Sequence, residues 1–173
     1  MLICERMRCP SRTRVKGAAW ILINRGFEPS PLSETQLVMT SLKAFIVEDS
    51  AVIRENLIAA LEELAPIQVV GTAVDEPGAV SWLSNAGQDC DLVIIDIFLK
   101  TGSGLGVLRA ASALNPPMSL VVLSNYATPD MRRKCLELGA SRVFDKSNEI
   151  DSLILYCARL AEGETGHGDL ASG

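Results

Sequence analysis

The hydrophobic pattern turns regular at Leu42 and stays so to Ala161. Residues 43–47 (KAFIV) form a short apolar run of strand length, and residues 50–64 carry Val52, Ile53, Leu57, Ala60, Leu61 and Leu64 on one helical stripe. Residues 67–73 (IQVVGTA) predict a second strand, after which Pro77, tolerated as a first helical residue, opens a helix through Asn85. Residues 92–95 (LVII) are continuously apolar between Asp91 and Asp96, the pattern of a central strand covered on both faces. A helix over 103–114 stops before Asn115, Pro116 and Pro117, and residues 120–123 (LVVL) predict another buried strand. Residues 129–138 predict a helix closed by Gly139, and residues 142–144 a short last strand. Asn148 is placed to cap a final helix whose stripe is Ile150, Leu153, Ile154, Cys157 and Ala161.

Five strands alternating with five helices predict an α/β fold: a parallel, doubly wound sheet with right-handed crossovers. Sheets of this kind bind ligands at the carboxyl ends of their strands. There, the first strand ends in Glu48 and Asp49, the third in Asp96, the fourth in Ser124 and the fifth in Asp145 and Lys146. Taken singly, each has a bland explanation as a turn, cap or surface residue. In register at one edge they share a single one. Crowded carboxylates repel unless a cation joins them, and a donor set of oxygens alone suits a hard ion, Mg²⁺ above all.

Composition narrows the classes. Of 173 residues 48% are apolar and 21% charged, with 13 Gly and 8 Pro, which excludes disorder, collagen-like repeats and coiled coil. The net charge of −5 is uneven: in residues 1–38 six cations (Arg6, Arg8, Arg12, Arg14, Lys16, Arg25) face three acids (Glu5, Glu28, Glu34), a balance of +3 that leaves −8 for the rest. So acidic a body lacks the surface that nonspecific nucleic-acid binding needs, and no nucleic-acid partner is expected. The first 40 residues read as a basic, disordered extension or a start-site artefact with the functional start at Met39, the alternative being an amphipathic arm that binds a membrane or partner. Residues 17–23 (GAAWILI) lack a cleavage pattern, and no stretch is long enough to span a membrane. Five cysteines (Cys4, Cys9, Cys90, Cys135, Cys157), an odd number and mostly in apolar segments, indicate buried thiols in a reducing, cytoplasmic setting. The sole histidine, His167, sits in a Gly-rich tail (residues 162–173), which leaves no basis for Cys/His zinc sites, Ser-His triads or a phosphohistidine relay within this chain.

Residues 42–161 resemble the receiver domain of bacterial response regulators, through AFIVEDS (44–50), DLVIIDIFLKTGSG (91–104), VVLSNYA (121–127) and GASRVFDKS (139–147). The resemblance implies strand order 2-1-3-4-5 and a phosphoryl group accepted on Asp96. It further implies Mg²⁺ held by Glu48, Asp49, Asp96 and the Phe98 carbonyl, Lys146 paired with a phosphoryl oxygen, and Ser124 as hydroxyl donor to the group once formed. Four positions depart from the usual pattern: Lys100 stands where proline is common, Asn125 where a small residue is typical, Val143 in place of the switch aromatic, and Ser147 where a proline often follows the lysine. Bulky Phe98 and Tyr126, each two residues past a site residue, predict slow self-dephosphorylation.

With only residues 162–173 after the last helix, the expected protein is a stand-alone receiver of a phosphorelay, not an enzyme beyond its own phosphoryl transfer. Its expected partners are a histidine kinase or phosphotransfer protein and a target bound through the helix 4, strand 5, helix 5 face, where Met131, Arg132, Arg133, Lys134 and Leu155 lie. No membrane partner is expected, and the expected state is a monomer or a dimer formed on phosphorylation. A receiver-like interaction module working without phosphorylation is the alternative. An aspartyl phosphatase would want an Asp where Phe98 stands, and a nucleotide or flavin binder a phosphate cradle where Glu48 and Asp49 repel phosphate.

Overall fold

The computed structural model describes residues 41–86, 90–114 and 118–163. The first 40 residues, with Cys4 and Cys9, and the tail with His167 lie outside the described residues. Ten elements follow one another: β1 (Leu42–Val47), α1 (Ala51–Leu64), β2 (Ile67–Ala73), α2 (Glu76–Ala86), β3 (Leu92–Ile95), α3 (Gly104–Ala113), β4 (Ser119–Ser124), α4 (Pro129–Glu137), β5 (Arg142–Asp145) and α5 (Ile150–Ala161). All strands are parallel in the order β2-β1-β3-β4-β5.

Four helices begin on side chains that satisfy otherwise orphaned N–H groups, α2 among them, where Asp75 Oδ1 accepts from Gly78 N–H at 2.8 Å. Ser50 accepts from Ile53 N–H at 3.5 Å, Ser103 from Leu105 N–H at 3.2 Å and Thr128 from Met131 N–H at 3.3 Å, with Pro129 following Thr128 as a preset first residue. The expected cap of α5 is corrected. Glu149, not Asn148, is the boundary residue, and it makes no side-chain bond to the helix. Its carboxylate accepts from Asp145 N–H and from Arg132 instead, both at 2.6 Å.

Alternation along the strands sends successive side chains to opposite faces and so builds two cores. Phe45, Val47, Val93, Ile95, Val122 and Val143 meet Leu83 of α2, Val107 and Leu108 of α3 and Cys135 of α4 on one face. On the other, Ile46, Ile94, Val121, Leu123 and Phe144 join Leu57 and Leu61 of α1 and Leu153 and Cys157 of α5. β1, β3 and β4 are buried on both faces, as continuous apolar runs require. The stripe expected of α1 is narrower than its apolar residues suggest. Only Leu57 and Leu61 are buried, whereas Val52, Ile53 and Leu64 are exposed. Among the described residues no helix is long and apolar enough to cross a membrane.

Candidate functional site

Parallel pairing keeps the strand ends level. Val47 lies opposite Ile95, Ile95 opposite Val122, and Ser124 opposite Asp145. The ladder continues one residue past the strands: Asp96 N–H donates to Val47 O at 2.9 Å, Glu48 N–H to Ala73 O at 3.0 Å and Lys146 N–H to Ser124 O at 3.1 Å. Backbone hydrogen bonding therefore sets Glu48, Asp96, Ser124 and Lys146 side by side, with Asp49 next in chain where it turns into α1. Gly104 closes the loop behind Asp96. A Cβ at that position would collide with the Asp96 carbonyl oxygen, and Gly104 N–H donates to Ile97 O at 3.0 Å.

Lys146 is the centre of the charge arrangement. Its Nζ donates to Glu48 Oε2 at 2.5 Å and to Asp96 Oδ2 at 2.7 Å, with all three side chains at most 9% exposed. Buried charges persist only when paired and hydrogen-bonded, and these are. Asp96 Oδ1 accepts from Phe98 N–H at 3.1 Å, Glu48 Oε1 from Ser50 N–H at 3.1 Å, and Arg54 holds the Glu48 carbonyl at 2.9 Å. Ser124 is fully buried and accepts from Tyr126 N–H at 3.2 Å. The two aromatic side chains meet edge to face, ring centroids 5.3 Å apart, both exposed.

Glu48, Asp49 and Asp96 each offer a carboxylate oxygen, all within 4.8 Å of one another. An oxygen-only, strongly anionic set of this size fits a hard divalent cation and gives nothing for a softer metal to prefer. Every residue expected at the site is thus at one sheet edge. Phe98 contributes there through its backbone, its ring facing outward. Asn125 is exposed at the rim of an apolar groove beside Lys146. Val143, in the place of the switch aromatic, is packed into the core.

Two contacts have no counterpart in the sequence reading. Lys100 Nζ lies 3.3 Å from Asp49 Oδ2. Glu76, opening α2, accepts from Ser103 N–H at 2.8 Å and its own N–H donates to Thr101 O at 3.3 Å, bracing the far end of the loop behind Asp96. The visible signal for the second was glycine at 102 and 106. A Cβ at either would strike the Glu76 side chain, and Gly102 has φ +81°.

A parallel sheet covered by helices on both faces, carrying an aspartate at the tip of its central strand with acids on one side and a lysine on the other, defines a receiver type of signalling domain. The chain belongs to the response regulator receiver domain family of two-component systems, whose model matches residues 44–157. Among curated relatives it is 34% identical over 107 residues to a protein-glutamate methylesterase/protein-glutamine glutaminase of Anaeromyxobacter dehalogenans, covering 61% of this chain and 29% of that one. A relative with the same activity name from Clostridium acetobutylicum is 27% identical over 125 residues, 67% of this chain and 36% of its own. The chain thus spans about a third of the length of these relatives. Among solved structures, the receiver domain of NarL from Mycobacterium tuberculosis aligns with TM-score 0.63 at 21% identity, over 72% of this chain and 98% of that one. The CheX–CheY–BeF₃–Mg complex of Borrelia burgdorferi aligns with TM-score 0.62 at 20% identity, over 70% of this chain and 89% of that one. Identities this low bear on the fold, which they share.

Proposed function

We propose that this receiver takes a phosphoryl group onto Asp96 from the phosphohistidine of a histidine kinase or phosphotransfer protein, with Mg²⁺ as its cofactor, and that the modified domain changes its protein contacts. The observation that carries the reading is the convergence of Glu48, Asp49, Asp96, Ser124 and Lys146 from four strand ends on one pocket. A carboxylate oxygen of Asp96 attacks phosphorus as the P–N bond of the donor breaks. The bonding pair leaves on the imidazole nitrogen, which takes a proton, and an acyl phosphate remains on Asp96. Lys146, already bonded to Asp96, is positioned to follow a phosphoryl oxygen. Ser124 has its hydroxyl hydrogen free to point at that group, since its oxygen serves as acceptor for Tyr126. Glu48, Asp49, Asp96 and the Phe98 carbonyl would hold the ion, whose charge stabilises the transferring phosphoryl oxygens.

The donor protein has a surface to meet. An apolar groove of about 420 Å³, lined by Ile53, Leu57, Leu123, Asn125, Lys146 and Ile150, opens beside the pocket. The output face assigned to α4, β5 and α5 carries exposed Leu136 and Leu155, and a reducing, cytoplasmic setting suits the buried thiols of Cys90, Cys135 and Cys157. A second reading, an interaction module that works without phosphorylation, draws on the lysine pairing of all three carboxylates. One experiment separates them. Incubation with acetyl phosphate or phosphoramidate and Mg²⁺ is expected to add one phosphoryl group, seen by intact mass, acid-stable and hydroxylamine-labile. The adduct should be lost with EDTA and in Asp96→Ala; no adduct from these donors or from a phosphorylated kinase domain would favour the second reading.

A further inference from the structure

The pocket already contains its own cations, and they are of two kinds. Lys146 is 7% exposed and bonded to two carboxylates, a fixed part of the interior. Lys100 is 80% exposed and reaches Asp49, whose side chain is 13% exposed, from the loop behind Asp96. Asp49 is thus shielded from water and receives its counter-charge from a flexible chain free to leave. A position commonly filled by proline in related domains here supplies that charge.

We propose that Lys100 is a displaceable counter-ion that competes with Mg²⁺ for Asp49. The inference rests on the reading of the pocket as a magnesium site. A divalent ion at Asp49 and an ammonium at 3.3 Å from the same carboxylate repel, so entry of the ion requires Lys100 to swing into solvent. The two states of Lys100 then report whether the pocket is loaded. The effect is modest, because an exposed ion pair contributes little: removing it changes an affinity by about two- to fivefold. It is screened by salt, since the Debye length falls from about 10 Å at 0.1 M to about 3 Å at 1 M.

Calorimetric titration of the full chain with MgCl₂, without phosphodonor, tests this. Lys100→Gln is expected to bind Mg²⁺ two- to fivefold more tightly than the parent at low ionic strength, with the gap closing at high salt, and Lys100→Arg to keep the parent affinity. Unchanged or weaker binding in Lys100→Gln overturns the proposal while leaving the magnesium site intact. If the parent shows no Mg²⁺ binding that Asp49→Asn abolishes, both the counter-ion and the magnesium reading fail.

Discussion

Phe98 and Tyr126 are tied to the site by the same device. Each donates its N–H to the site side chain two residues before it, Phe98 to Asp96 Oδ1 at 3.1 Å and Tyr126 to Ser124 Oγ at 3.2 Å. Those two bonds aim the rings at each other, giving the edge-to-face contact of 5.3 Å, an arrangement favoured by the ring quadrupoles. Bulk at these two positions, each bonded through its backbone to a site side chain, is expected to screen an acyl phosphate on Asp96 from water. Phe98→Asn is therefore expected to shorten the half-life of the phosphorylated form several-fold, followed as loss of the phosphoryl mass after donor removal; an unchanged half-life would dismiss the screen. The aromatic positions were readable in the sequence because they sit two residues from site residues. Lys100 was readable only as a missing proline, since its partner Asp49 lies a whole α-β-α-β stretch away and no local pattern encodes it.

α4 and α5 are joined by a charged clasp. Arg132 donates to Ala127 O at 3.0 Å, to Val143 O at 2.5 Å and to Glu149 Oε2 at 2.6 Å, so one guanidinium ties the loop after Ser124 to β5 and to the start of α5. The Arg132 hydrogen bond, chiefly, holds the Glu149 carboxyl below its ordinary range, against the opposing effect of burial and with the Asp145 N–H bond adding to the lowering. A carboxyl with a depressed folded pKa adds stability that is complete above its unfolded value, about 4.3, and is lost as pH falls through the lower folded value. With both side chains about one-third exposed, Glu149→Gln is expected to cost about 1 kcal/mol near neutrality, in urea unfolding, and progressively less below about pH 4. A cost that persists in acid would contradict the clasp. In the sequence, residues 131–134 looked like a basic docking face. Arg132, about one-third exposed, gives its guanidinium to Ala127, Val143 and Glu149, and the exposed Arg133 pairs with Asp130 at 2.7 Å, because a periodicity assigns a side of the helix without saying which cation finds a carbonyl. The stripe of α1 is narrower than its apolar residues for a related reason: apolar type marks what could be buried, and tertiary packing decides what is.

The molecule stores its stability in two cores separated by the sheet. Leu108 and Leu153 are fully buried, one in each. Leu108→Ala and Leu153→Ala are each expected to cost about 2–5 kcal/mol, and the double variant their sum to within about 0.5 kcal/mol; strong coupling in a double-mutant cycle would show that the layers are not independent. Burial pushes the Cys157 thiol up to about 12 and raises that of Cys135, where Lys134 partly offsets it. Neither should react with a maleimide at about pH 8 until the protein unfolds. Element order was legible because short apolar runs of strand length alternate with helical stripes between turn residues, and strand ends followed from that order. The site was legible as a set of residues for the same reason, whereas its electrostatics depended on contacts such as Lys146 with Glu48, set by the closing of the sheet. Borohydride reduction of the phosphorylated protein converts an acyl phosphate to the alcohol, so peptide mass mapping locates the modified carboxylate. A single homoserine at position 96 is expected; reduction at Glu48, Asp49 or Asp145 instead would mean that the pocket does not present Asp96 as its nucleophile.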